Sequence, residues 1–342
     1  MDAASALAYV TLAEEAGAKL DGPDGPAWAE RLEQEHERLR EAFACLIAAG
    51  KQVEALRLAV GLWTFQFDHG YAVEGRDWLA RSLETPGAQD RTPLRALGLY
   101  AAGTFAFRAL DQEQAQLYFG ELLEIARSLG DDGLLGKAYG GLARVALRRE
   151  DTDGVRRWSR EGLALANARG KPEMTSTPIH MLAAAARLDA DFEQARKFYA
   201  QNLELCRNLG RENWVGAELV NLGAIEVLDG HPDAAVPFLL ESLQLVRRRK
   251  DRFLTPYVLA WSARVAMGRG DLGSAARLLG AAKHESDQTG LAMDPDEEPE
   301  FQKGLTLCKA AMTPADFDAA WQSGARLGFD EALDSGEKLL SK

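Results

Sequence analysis

One period constrains this chain more than any other feature. A helix–turn–helix pattern recurs every 40 residues, six times in succession. Its turn position falls at Tyr71, Asp111, Asp151, Asp191, His231 and Asp271. Four residues on stand Gly75, Ala115, Val155, Ala195, Ala235 and Ala275, and seven on stand Trp78, Tyr118, Trp158, Phe198, Phe238 and Leu278. Twelve on, a leucine recurs at 83, 123, 163, 203 and 243, until Lys283 breaks the column. Small, large, then leucine is what closely packed helix pairs need, and a fixed period of this size implies a stacked array with an extended surface to offer.

The first helix of each unit has its own columns. Leu99, Tyr139, Ile179, Leu219 and Leu259 lead, and Ala102–Gly103, Leu142–Ala143, Leu182–Ala183, Leu222–Gly223 and Ser262–Ala263 follow. Ala106, Ala146, Ala186, Glu226 and Ala266 complete an i, i+3, i+4, i+7 stripe that faces the second helix. Thr92–Pro93, Thr177–Pro178 and Thr255–Pro256 read as a cap residue followed by a helix-starting proline. Gly130, Gly170, Gly210 and Gly290 read as helix ends in the left-handed conformation. Pro237 is expected to kink its helix or delay its start.

The array defines three parts: a helical lead-in at 1–50, the six repeats at 51–290 and a helical cap at 291–342. The lead-in reads as one helix through Ala6–Leu20, a DGPDGP turn, and a second helix over about Ala27–Ala49. In the cap, MDPDEEPE reads as a solvated acidic linker before helices at Phe301–Met312, from Thr313–Pro314 onward, and at Phe329–Leu340. Terminal units must be atypical because the last apolar face needs a cover.

The columns resemble the tetratricopeptide repeat fingerprint: Leu219, Leu222, Gly223, Ala235 and Leu239 stand at matching spacings. The resemblance implies an all-α, right-handed α-solenoid of about six hairpins, in the longer repeat variety seen in kinesin light chains and bacterial regulators. The stretches RLEQEHERLREAF, VEALRLAVGLWTFQFDHGYAVEGRDWLARSL, AARLLGAAKHESDQTG and FDAAWQSGARLGFDEAL are also similar to the C-terminal sensor region of LuxR-type and related bacterial signalling ATPases and transcriptional activators. That similarity implies a sensor module of a transcriptional or signalling system. The GxxxxGK[ST] phosphate loop is missing, so ATPase activity is not carried over.

Charge narrows the function classes. A net charge of −12 disfavours non-specific binding to nucleic acid or an anionic membrane, which needs a basic footprint. The three cysteines, Cys45, Cys206 and Cys308, lie far apart and read as reduced, buried thiols of a cytoplasmic protein. The N-terminus lacks the basic and apolar regions of a signal peptide, and the apolar stretch near Met181–Ala186 is too short to span a bilayer.

Catalytic signals are weak. His36, His69, His180, His231 and His284 form no HExxH, and nothing pairs a nucleophile with a base at a diagnostic spacing. Asp294, Asp296, Glu298 and Glu300 alternate like a calcium loop, but Pro299 stands where that loop needs glycine and Leu305 where it needs glutamate. The run Arg247–Lys250 fits a helix C-terminus, where cations complement the dipole, better than a nucleic-acid patch. Trp63, Phe65, Phe67 and Trp78 read as core, as do Trp158 and Trp214. No cofactor or metal is implied.

The candidate site is a second stripe on the first helices, which by the tetratricopeptide resemblance lines a groove. It carries Tyr100, Thr104, Phe107, Arg108, Lys137, Arg144, Arg148, His180, Arg187 and Arg264, a basic interior in an acidic protein. Guanidinium forks suit carboxylates, and Tyr100, Phe107 and Met267 add apolar contact. The expectation is recognition of a protein or peptide segment, acidic or C-terminal, or of an anionic small ligand. The arginines could equally pair with neighbouring Asp and Glu or face solvent. A scaffold without a ligand switch and an enzyme with a groove site are the alternative readings.

Overall fold

The computed structural model describes residues 1–84 and 90–342, and within them every regular element is helical. The chain forms two compact units, Met1–Met181 and Leu182–Lys342.

Unit 1 holds α1 (Ala3–Gly17), α2 (Gly25–Gln34), α3 (His36–Ala48), α4 (Gln52–Asp68), α5 (Ala72–Glu84), α6 (Pro93–Arg108), α7 (Gln112–Leu129), α8 (Asp132–Arg148) and α9 (Thr152–Arg169). From α4 onward each helix packs on the next, so α4–α5, α6–α7 and α8–α9 are hairpins. The lead-in differs from expectation in one respect: a turn at Glu35 divides its second helix into α2 and α3. Helix α10 (Ser176–Leu188) begins in unit 1 and ends in unit 2.

Unit 2 continues with α11 (Phe192–Asn208), α12 (Glu212–Leu228), α13 (Val236–Arg249), α14 (Thr255–Gly268) and α15 (Leu272–Thr289), then α16 (Glu298–Ala311), α17 (Pro314–Gly324) and α18 (Phe329–Leu340). Here too each of α11 to α15 packs on its successor, while α17 lies on α15 and α18 on α13 and α14.

The sequence columns explain this packing. Ala115, Val155, Ala195, Ala235 and Ala275 are all fully buried. Trp78 is buried and stacks flat on Phe43 with centroids 4.3 Å apart. A Cβ at Gly103 would stand 2.6 Å from the Phe119 ring, so the column's glycine is what admits that ring. The second helices start as the pattern requires. Asp111, Asp151, Asp191 and Asp271 accept the backbone N–H three residues on, at 3.1, 2.8, 3.1 and 3.0 Å. They end on left-handed Gly130, Gly170, Gly210 and Gly290.

Three details lie outside the columns. The residue before each turn position is left-handed in all six repeats: Gly70, Leu110, Glu150, Ala190, Gly230 and Gly270. Of the Thr–Pro pairs, Thr92 and Thr313 cap their helices, accepting Arg95 and Asp316 N–H at 3.2 Å each, while Thr177 and Thr255 lie within the first turns of α10 and α14. Pro237 delays its helix, since residues Pro232–Ala235 form a 3-10 turn and α13 begins only at Val236.

The basic run closes α13 structurally. Arg247 pairs with Asp334 at 2.8 Å, Arg248 with Glu212 at 2.7 Å, and Lys250 takes the left-handed cap position. Cys45, Cys206 and Cys308 are free thiols, and Cys45 is partly exposed.

Candidate functional site: one stripe, two electrostatic settings

The stripe residues divide between the units. In unit 1, α6 carries Tyr100, Thr104, Phe107 and Arg108, and the adjacent α8 carries Lys137, Arg144 and Arg148. Helical spacing sets each group on one side of its helix, and the contact of α6 with α8 joins them. The Lys137 ammonium stands 4.5 Å from the centre of the Tyr100 ring, and Trp63 meets that ring edge-on at 5.7 Å. The Arg148 and Arg108 guanidiniums lie 4.6 and 5.4 Å from the Phe107 centroid. Phe107 is itself buried, so it forms the floor of the cluster. The Thr104 hydroxyl donates to its own helix, to Tyr100 O at 2.9 Å. His180 is partly buried on α10.

This cluster carries positive charge that carboxylates leave uncompensated at two positions. Among the described residues Lys137 and Arg144 make no ion pair, and Nη1 of Arg144 is buried without a hydrogen-bond partner. A buried donor without a partner costs roughly 1–3 kcal/mol, more when charged. The field reaches Tyr100: burial alone would raise its phenol, but Arg144 and Lys137 outweigh burial and hold its pKa below the ordinary tyrosine value.

In unit 2 the same stripe is covered. Arg187, at the end of α10, is buried; its Nη1 donates to Glu297 Oε1 at 2.5 Å and its Nη2 to Asp296 O at 2.9 Å. The other Glu297 oxygen accepts the Trp261 indole N–H at 2.6 Å, and the Arg187 guanidinium lies 5.2 Å from the Trp261 ring. Arg264 donates to Glu300 Oε2 at 2.8 Å, and Tyr257 Oη accepts Asp294 N–H at 3.2 Å. The sequence therefore misleads at MDPDEEPE: it is no solvated linker but a segment laid on α10 and α14, with Met293 and Glu297 buried. Burial pushes the Glu297 carboxyl above the usual glutamate range despite Arg187, and the nearby Asp296 adds to the effect. For Arg187 the two carboxylates overcome burial and raise its pKa, so it remains a cation. A small cavity of about 10 Å³ remains beneath the segment, room for about one water, lined among others by Tyr257, Trp261, Arg264, Met293 and Phe301.

Trp261, Asp296, Glu297 and Glu300 are absent from the site read off the sequence. Their signal was charge complementarity between an isolated acidic segment and an arginine stripe in an otherwise uniform array. Among the described residues no group of three or more His, Cys, Asp and Glu side chains could hold a metal ion. Nor is any described helix long and apolar enough to cross a membrane.

No protein-family model matches the sequence, and comparison with curated proteins finds no relative. Solved structures do resemble the fold. One is a Rap protein complexed with competence and sporulation factor, with a TM-score of 0.57 at 10% identity, covering 92% of this chain and 99% of that one. Another is NprR in complex with its cognate peptide NprX, with a TM-score of 0.51 at 17% identity, covering 98% of this chain and 94% of that one. At these identities the likeness is one of fold: an all-α arrangement of consecutive tetratricopeptide-like hairpins, shared with these two proteins.

Proposed function

We propose that this chain is a peptide-recognition module, the sensor part of a bacterial transcriptional or signalling regulator acting in the cytoplasm. The α6–α8 face of unit 1 takes a short anionic peptide, whose carboxylate is received by Arg144 and Lys137 over the Tyr100 and Phe107 rings. The observation that carries this reading is the buried Nη1 of Arg144, a charged donor without an acceptor beside a second cation outside any ion pair. A ligand carboxylate supplies what both lack, and a charge-assisted hydrogen bond of this kind is about twice as strong as a neutral one. The resemblance to two solved complexes, one of them with a cognate peptide, supports a peptide as the ligand class. In this reading residues 1–50 and 291–342 close the ends of the array at 51–290.

Fluorescence anisotropy with labelled short peptides, each made with a free and an amidated C-terminus and with acidic or neutral side chains, tests the proposal. Anionic peptides are expected to bind the parent chain, and Lys137→Ala with Arg144→Ala to weaken them at least about tenfold, or 1.4 kcal/mol. Binding that ignores both peptide charge and the double substitution would refute it. A scaffold role would show instead as partner binding unaffected by any anionic peptide.

A further inference from the structure

The unit 2 stripe has the chemistry of a binding site and already holds an occupant. Arg264 stands three periods after Arg144, 120 residues on, at the same position of its hairpin. Around it are Arg187, the Trp261 indole N–H and the Tyr257 ring. What fills these donors comes from the chain itself, through Asp296, Glu297 and Glu300. We propose that the α10–α14 face is a second recognition site, specific for an acidic peptide segment, and that residues 294–300 occupy it in cis until a competing acidic segment displaces them.

Three observations support displacement over a purely structural cover. The contacts come from the stretch between α15 and α16 and from the first turn of α16, where Glu300 lies; most are side-chain carboxylates, joined by the Asp296 and Glu300 carbonyls, so they can be exchanged while α15 and the rest of α16 persist. The fit leaves a gap, though a small one: a space for about one water, lined by Trp261, Arg264 and Met293, lies between the segment and the helices. And the chemistry is transferable: carboxylate to guanidinium, carboxylate to indole N–H, and cations against an aromatic face are all contacts that an unrelated Asp/Glu peptide can reproduce. Tethering gives the internal segment a high effective concentration, so an outside peptide competes only when it is abundant or makes additional contacts. The proposal requires only unit 2 and stands whether or not the α6–α8 face binds a peptide.

The probe is a labelled synthetic peptide spanning residues 293–301 of this chain, read by anisotropy. To keep unit 1 out of the measurement, all chains carry Lys137→Ala and Arg144→Ala. In that background Asp296→Asn, Glu297→Gln and Glu300→Gln together are expected to raise affinity for the probe at least about tenfold. Adding Arg264→Ala should remove the gain. A folded triple variant, melting cooperatively by circular dichroism, that binds the probe no better than its parent overturns the proposal. Where the triple variant does not fold, hydrogen exchange of residues 293–301 in the natural chain decides. Faster exchange with excess probe supports displacement, and exchange unchanged at the highest probe concentration overturns it. Loss of peptide binding on the unit 1 substitutions in the natural chain reports separately on the α6–α8 face.

Discussion

Arg144 in unit 1 and Arg264 in unit 2 occupy the same position of the repeat, yet their surroundings are opposite. Arg264 is paired with Glu300 at 2.8 Å and lies 6.0 Å from the centre of the Trp261 ring. Arg144 stands by a tyrosine and a lysine, with a buried nitrogen that nothing accepts from. Two of the six repeats thus place a cation at this position, where the others have Thr64, Thr104, Ala184 and Ala224, and its compensation is left to residues outside the repeat. In unit 2 compensation comes from the acidic segment after α15. In unit 1 Lys137 and Arg144 keep no carboxylate partner among the described residues.

The sharpest test of this contrast is stability. Arg187→Ala would strand Glu297 and Asp296 in a buried setting, and breaking such a pair costs about 3–5 kcal/mol, measurable as a lowered urea midpoint. Arg144→Ala is expected to cost nothing and to stabilise by up to about 1–3 kcal/mol, because it removes a buried charged donor that has no acceptor. Equal losses at the two positions would break the comparison. Next in size is salt. If the unit 1 face binds by charge, peptide affinity should fall severalfold between low and physiological ionic strength, as Debye screening shortens to about 8 Å.

A smaller difference separates the units at their turns. Of the three left-handed turn residues in each unit, unit 1 has Leu110 and Glu150 beside Gly70, while unit 2 has only Ala190 beside Gly230 and Gly270. Leu110→Gly relieves a left-handed backbone at an exposed side chain and should stabilise by about 0.5–1 kcal/mol, read as a raised melting temperature. The smallest effect is spectroscopic. One tyrosine should ionise below pH 10, a feature lost in Tyr100→Phe and moved upward in Arg144→Ala, seen by ultraviolet absorbance. Because the folded pKa is the lower one, this group adds stability above the unfolded pKa, and the contribution fades as pH falls through the folded value. It has no bearing on neutral-pH stability.

Most of the fold was legible in the sequence because it is local. Asp111, Ala115 and Leu123 speak to one hairpin, and their spacing is the hairpin's own geometry. The lead-in break at Glu35 was not legible, since no proline or glycine marks it. Neither was the close approach of α15 and α17, where a Cβ at Gly324 would stand 1.8 Å from Arg277 O and one at Gly280 would stand 2.3 Å from Trp321 O. Those glycines are readable only once the two helices are known to meet.

The candidate site was half legible for the same reason. Periodicity put Tyr100, Lys137 and Arg144 on one stripe, but it could not show that Phe107 lies beneath its arginines. Nor could it show that Arg187 meets Glu297 across 110 residues. Side chains at such separations are joined by tertiary packing, which a repeat pattern does not encode.

The Arg187–Glu297 pair also changes how unit 2 should come apart. A plain array of hairpins touches only its neighbours, so it can fray from its ends one repeat at a time. A contact that closes a loop of 110 residues forbids that route: α16 cannot detach without releasing α10, and neither can re-form its contact until the helices between have returned. Unit 2 is thereby clasped into a single cooperative block. Its slow step in refolding should be the closing of that clasp, while hairpins free of such long-range ties would exchange their amide hydrogens piecemeal.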